Sequence, residues 1–154
     1  MSMELHVLSD RHLASFAEWQ RAIDAERFPL RFEANADLQT TSGFVPLQFE
    51  YVPSGFECFH DNAEQTQNFL GSENFDRKWK FALGFRWRGD LMELLAAWMA
   101  ATAYATASSG IIFDHQEARS FTPQEARAVI NDIKRDLPRM ASILKNIEAN
   151  FPRG

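Results

Sequence analysis

The segment from Trp79 to Trp87 alternates between apolar and polar or small residues, and this is the most restrictive pattern in the chain. The apolar positions are Trp79, Phe81, Leu83, Phe85 and Trp87, and the bases that lie between or beside them are Lys78, Lys80, Arg86 and Arg88. Successive side chains of a strand point to opposite faces, so a strict period of two predicts a strand with one buried and one solvated face. Such a strand needs a sheet around it and an apolar layer packed against its buried face.

A helix is predicted directly after this strand. Gly89 and Asp90 turn the chain, Asp90 is placed to cap the first free amides, and Glu93 follows at the spacing of a capping box. The helix extends to about Ser108 and is rich in alanine, which allows close approach to a sheet. Gly110 is expected to end it, and Ile111–Phe113 then reads as a short core strand.

The remaining pattern predicts further strands and helices on both sides of this central region. The expected elements are a strand Met3–Val7, a helix from Ser9 to about Asp24, strands Phe28–Ala34 and Phe44–Val52, a turn at Pro53–Gly55, a strand Phe56–His60, a helix Ala63–Leu70 ending at Gly71, and a helix capped by Thr122 that Pro138 breaks or kinks. Together they predict an α+β fold with one domain over residues 1–154. We expect a mixed or largely antiparallel sheet of about five to six strands, with helices packed mainly on one face.

Composition excludes some function classes and leaves others open. The chain has 154 residues and a net charge of −5, so we expect no nucleic-acid partner, since phosphate binding needs a basic face. The uncharged run 94–113 consists largely of Ala, Thr and Ser, and we therefore interpret it as a buried helix and strand and expect no membrane association. With one cysteine, Cys58, and no basic segment leading into an apolar run at the start, we expect a cytoplasmic location.

Charge is strongly segregated along the sequence. Residues 33–76 contain eight acids and no Lys or Arg, and residues 77–88 then contain five bases. One interpretation is a pair of solvated faces that neutralise each other across the sheet. The other is an acidic docking surface for a basic protein, because complementary fields speed encounter and select partners. The residues predicted to bind such a partner are Glu50, Glu57, Asp61, Glu64, Glu73 and Asp76.

Candidate catalytic and metal-binding residues are few. Cys58 and His60 share a face of their strand, but no glycine-rich loop or helix start accompanies them, so we interpret them as a packed thiol and a surface histidine. Possible metal ligands are Glu57, His60, Asp61, Asp114 and His115, and they have no recognised ligand spacing. We read Asp114 and His115 as a turn and assign Glu93 to the helix cap. We therefore predict no catalytic residue, no metal site and no cofactor.

Three segments carry a resemblance to known proteins. They are Pro53-Ser54-Gly55-Phe56-Glu57-Cys58, then Phe85-Arg86-Trp87-Arg88-Gly89-Asp90 with Glu93, then Ser109-Gly110-Ile111-Ile112-Phe113-Asp114 at the end of the alanine-rich helix. Within residues 44–125 the chain resembles small bacterial immunity proteins that are encoded beside polymorphic or type VI secreted toxins. The resemblance implies that the chain binds and blocks one cognate toxin without catalysis, and it implies no site residues.

The leading hypothesis is a non-catalytic immunity protein that occludes the active site of a toxin through the acidic residues. A small binding or regulatory module with another protein partner is the alternative. A hydrolase that uses Cys58 and His60, or a metal-dependent enzyme, is the third hypothesis.

Overall fold

A computed structural model gives the fold and describes residues 3–33 and 36–150, with side chains up to residue 136. These ranges form seven strands and four α-helices. The strands are β1 Met3–Ser9, β2 Leu30–Phe32, β3 Ser42–Phe49, β4 Val52–Asp61, β5 Phe81–Trp87, β6 Ile111–Asp114 and β7 Arg119–Phe121. The helices are α1 Phe16–Ala25, α2 Ala63–Leu70, α3 Leu91–Ser108 and α4 Pro123–Asn150, and single 3-10 turns cover Leu38–Thr40 and Ser72–Asn74.

The seven strands form one antiparallel sheet in the order β2-β3-β4-β5-β1-β6-β7. β1 lies near its middle and pairs with β5 on one side and β6 on the other. The predicted α+β class, with helices mainly on one face, is confirmed. The strand count is one above the predicted range because β7 has three residues, too few to show an alternating pattern, and is held by pairing with β6.

Helices α1, α3 and α4 cover one side of the sheet, called here the helix-covered face. Trp19 of α1 is fully buried there, and its ring contacts those of Phe85 and Tyr104. The alanines of α3 have no exposed surface from Ala96 to Ala105, because their small side chains let the helix lie close to the sheet and to its helical neighbours. This layer contains most of the apolar core.

The opposite side of the sheet is only partly covered. Helix α2 packs over β5, where Ala63 joins Leu8 and Ala82 in a small second cluster, with Trp79 packed against it. The strand was predicted from Trp79 to Trp87, but it begins at Phe81, and Phe81 itself is 39% exposed. The prediction that Trp79 shares one buried face with Phe81, Leu83, Phe85 and Trp87 is wrong. Trp79 precedes the strand and packs against the second cluster.

The predicted caps of α3 and α4 are confirmed. Asp90 accepts from the amides of Met92 and Glu93, and α3 ends at Ser108 as predicted. Thr122 and Glu125 form the predicted reciprocal box, with donor–acceptor distances of 3.0 and 3.2 Å. Helix α2 also matches its predicted bounds.

Three further predictions, one of a turn and two of helix limits, are wrong. The chain reverses at Glu50 and Tyr51, both with positive φ, and β4 runs straight through the predicted turn at Pro53–Gly55. Helix α1 begins after Ser15, whose hydroxyl accepts from the amide of Glu18, because β1 continues through Ser9. Pro138 does not divide α4, which is continuous from Pro123 to Asn150.

Within the described ranges, no helix combines the length and apolar character that crossing a bilayer requires.

Candidate functional site

The candidate site lies on the partly covered side of the sheet, where four strands bring ionisable side chains together. Glu4 and His6 come from β1, Asp61 ends β4, Arg86 lies on β5, and His115 follows β6. His6 stands between the core residues Leu5 and Val7, so strand alternation turns it to the opposite side. We call this surface the open face. Its central residues are Glu4, His6, Glu57, Phe59, Asp61, Arg86 and His115, and Phe44 and Phe69 lie at its borders.

Gly84 makes room for the centre of the open face. It lies opposite His6 on one side and Phe59 on the other. A Cβ atom at this position would collide with the ring of Phe59, so glycine allows that ring to lie flat across β5. The ring of Phe59 in turn meets His6 edge-on, with centroids 6.3 Å apart.

His6 is the buried centre of a hydrogen-bonded chain of side chains. Its Nε2 lies 2.6 Å from Asp61 Oδ2, and its Nδ1 lies 2.7 Å from Nε2 of His115. His6 is only 4% exposed. Because a carboxylate only accepts, Nε2 of His6 donates to Asp61, and one proton lies between Nδ1 of His6 and Nε2 of His115. The two imidazole rings are stacked at 4.9 Å.

A second pair completes the cluster. Arg86 donates from Nε to Oε1 of Glu4 at 3.1 Å, and its Nη2 lies 3.0 Å from the same oxygen. The guanidinium lies 5.0 Å from the centroid of the Phe59 ring. The other oxygen of Glu4 lies 3.7 Å from Nε2 of His115. Each carboxylate of the cluster is therefore oriented by a partner, and Oε2 of Glu4 points toward the two histidines.

Burial sets the electrostatics at the edge of this cluster. It lowers the pKa of His115, and the neighbouring His6 lowers it further, while Glu4 and Asp61 act in the opposite direction. Burial also raises the pKa of Asp114, although this carboxylate accepts from the amide of Gln116 at 3.0 Å. The latter bond agrees with the turn that the sequence predicted here.

The cluster is open to solvent along helix α2. A hollow of about 270 Å³ lies between the cluster and that helix. The residues that α2 contributes to its wall are Gln65, Thr66, Phe69 and Leu70. A small ligand or a partner side chain could reach His115 and Glu4 from this side. Two imidazoles and a carboxylate that converge on one point offer proton transfer or metal binding.

The six acids predicted to bind a partner are distributed over three regions. Glu50 lies in the β3–β4 turn, and Glu57 and Asp61 lie on the open face. Glu64, Glu73 and Asp76 lie on α2 or the segment after it. Glu57 pairs in register with Arg86, and Asp61 binds His6, so acids and bases partly neutralise each other across the strands.

Cys58 and His60 share the helix-covered face of β4, as their spacing predicted. Cys58 is completely buried, and burial raises the pKa of its thiol well above the ordinary range. His60 is exposed and its Nε2 lies 2.8 Å from the carbonyl oxygen of Leu38. A thiol that stays protonated and buried is a poor nucleophile, so this pair offers no activated group.

Sequence reasoning named two members of the cluster, Asp61 and His115, among possible metal ligands but missed Glu4 and His6. The one available signal was His6 itself, a histidine inside an apolar alternation that turns it away from the core. No family model, curated protein or solved structure matches the chain in comparisons with known proteins.

Proposed function

We propose that the chain binds another protein through its open face and that this partner is a secreted bacterial toxin, which the chain blocks without catalysis. The proposal places the chain in the cytoplasm, where the toxin would act and where a free thiol such as Cys58 stays reduced. The resemblance of residues 44–125 to immunity proteins supports the choice of a toxin.

The observation that carries the proposal is the pair of exposed aromatic side chains that border the open face. Phe69 on α2 is 86% exposed and Phe44 on β3 is 61% exposed. Arg86 lies between them: it lines one hollow together with Phe44 and a second hollow together with Phe69. Aromatic and arginine side chains dominate the binding energy of protein interfaces, since they bury a large area with few rotatable bonds.

Charge supports a basic partner. Glu57 is exposed beside Phe44, and Glu64 is exposed at the start of α2. Asp61, which is half-buried, lies between them on the path from β4 into α2. Acids at the border of an aromatic patch would steer a basic surface onto it and raise the association rate, with a strong dependence on salt.

Co-expression with toxin genes that neighbour this one tests the proposal. The chain should protect cells from one of them, and the purified pair should form a 1:1 complex. Phe69→Ala should weaken that complex by about 10-fold to 100-fold, the range expected for a central interface aromatic. Tyr51→Ala is the matched control, because Tyr51 is 93% exposed but lies at the β3–β4 turn.

Equal weakening by the two substitutions would argue against the open face. Charge reversal at Glu57 and Glu64 should slow association more than it speeds dissociation. Failure to protect against any neighbouring toxin would remove the immunity role. In that case a complex with a different protein, lost with Phe69→Ala, would support the alternative of a regulatory binding module.

A further inference from the structure

We propose that Glu4, His6 and His115 bind one Zn²⁺ ion at the centre of the open face, with a coordination position open toward helix α2. This proposal goes beyond protein binding and does not depend on it. It revises the expectation, drawn from the sequence, that the chain has no metal site.

The three ligand atoms already converge. His6 Nδ1, His115 Nε2 and a carboxylate oxygen of Glu4 all lie within 4.8 Å of one another. Two of the separations are 2.7 and 3.7 Å. Nitrogen ligands 2.0–2.1 Å from a tetrahedral zinc ion are about 3.3 Å apart, so these separations bracket the required value. The histidines need to part by roughly 0.6 Å. The amide of His115 donates to the carbonyl oxygen of Glu4 at 3.3 Å, so this movement has to come from the side chains.

The hydrogen bonds around the ligands select the atoms that would face the metal. Asp61 holds the proton of His6 on Nε2, which leaves the lone pair of Nδ1 directed at His115. In zinc proteins a carboxylate commonly orients a ligand histidine in this way and raises its basicity. Arg86 engages Oε1 of Glu4 and leaves Oε2 for the ion. Binding would displace the proton between the two imidazoles, and Nδ1 of His115 would carry a proton received through solvent, so that both rings bind the ion as neutral ligands.

The charge balance permits a cation at this point. Glu4 and Asp61 contribute two negative charges, and Arg86 contributes one positive charge through its ion pair with Glu4. These three groups together carry one negative charge, which favours a cation beside them. Two imidazoles and one carboxylate form a donor set that suits Zn²⁺ better than Mg²⁺ or Ca²⁺, which prefer oxygen ligands.

The hollow along α2 gives this arrangement an open side. Three protein ligands with the fourth position left to water is the pattern of reactive zinc sites, whereas structural sites are closed by four protein ligands. A water bound here would face Thr66 and Phe69 across the hollow. The fourth coordination position is therefore left for a water molecule or for one ligand atom of a partner.

Titration of the chelator-treated full chain with Zn²⁺ tests the proposal. Calorimetry should show one ion per chain with a dissociation constant below about 10 μM, and Co²⁺ should give the intense visible bands of a tetrahedral site. His115→Gln should weaken Zn²⁺ binding by at least about 100-fold, and Asp61→Asn by about 10-fold. His12→Gln is the matched control, because His12 is exposed and packs against Phe81 outside the cluster.

Fewer than one bound ion per chain would overturn the site, as would an affinity that His115→Gln leaves unchanged or that His12→Gln lowers equally. If His115→Gln fails to fold, Glu4→Gln replaces it and should lower the affinity by a similar factor. Phe69→Ala separates the two proposals, since it removes no metal ligand. It should leave Zn²⁺ affinity within about threefold of the unmodified chain while it weakens the protein complex.

Discussion

The two faces of the sheet bury large side chains by different means. On the helix-covered face, Trp19 is enclosed by other rings, and its single polar atom donates to the carbonyl oxygen of Ala100 at 2.9 Å. On the open face, His6 is almost as deeply buried, but every polar atom of its ring bonds to another ionisable side chain. Close packing of apolar rings therefore stabilises the helix-covered face. The open face depends instead on hydrogen bonds that satisfy every polar atom of His6. Loss of one of these bonds would be costly, and packing alone does not require them.

Removal of Trp19 should give the largest effect. Trp19→Ala leaves a cavity between α1, α3 and the sheet and should lower the free energy of unfolding by about 3–5 kcal/mol. Urea unfolding followed by circular dichroism measures the change. Trp19→Phe restores most of the volume and should recover more than half of it. A loss below about 1 kcal/mol for the alanine variant would show that the helix-covered face is not the main source of stability.

A methyl group at Gly84 should disturb the open face less. Gly84→Ala drives Phe59 off β5 and should lower the free energy of unfolding by about 1–3 kcal/mol, the usual range for overpacking. Gly84→Ala combined with Phe59→Leu should recover part of the loss, because the smaller side chain removes the collision. Additive losses in the double variant would contradict this account, since contacting residues are expected to couple.

The smallest effect is expected for an ion pair on the helix-covered side. Arg127 of α4 donates to both oxygens of Glu26, at 2.8 and 2.6 Å, and these bonds lower the pKa of Glu26 below its ordinary value. Arg127 is partly exposed, so after solvent screening Glu26→Gln should remove at most about 1 kcal/mol.

This small difference should depend on pH in a defined direction. A carboxylate whose pKa is lowered by folding stabilises the protein fully above its unfolded pKa, and the contribution is lost as pH falls through the folded pKa. The difference between the unmodified chain and Glu26→Gln should therefore be the same at about pH 7 and about pH 6, and it should shrink toward about pH 3. A difference that grows on acidification would contradict the assignment to Glu26.

The starts of α3 and α4 could be predicted because their signals are local. Asp90 and Thr122 lie within three residues of the amides that they cap. The β3–β4 turn could not be predicted, because positive φ at Glu50 and Tyr51 lacks the usual Asn-Gly signature, and Pro53–Gly55 looked more like a turn. In β4 those residues instead pair with Gln48, Leu47 and Pro46.

The cluster on the open face lay beyond sequence reasoning for a different reason. His6 bonds to residues 55 and 109 positions away. Only the order of the strands brings Asp61 and His115 to it, and no local spacing encodes that order. The charge segregation was visible in the sequence, but the pairing of Glu57 with Arg86 again required the strand register.

The central position of β1 has a consequence for how the protein folds. β1 precedes the other elements, yet its partners begin at Phe81 and Ile111, and the sheet cannot close before both exist. During synthesis, β1 therefore lacks both of its neighbouring strands until residues 111–114 have been made. Pairing across such long chain separations is slow and leaves an aggregation-prone strand, so refolding should be much slower than the helical content alone would suggest.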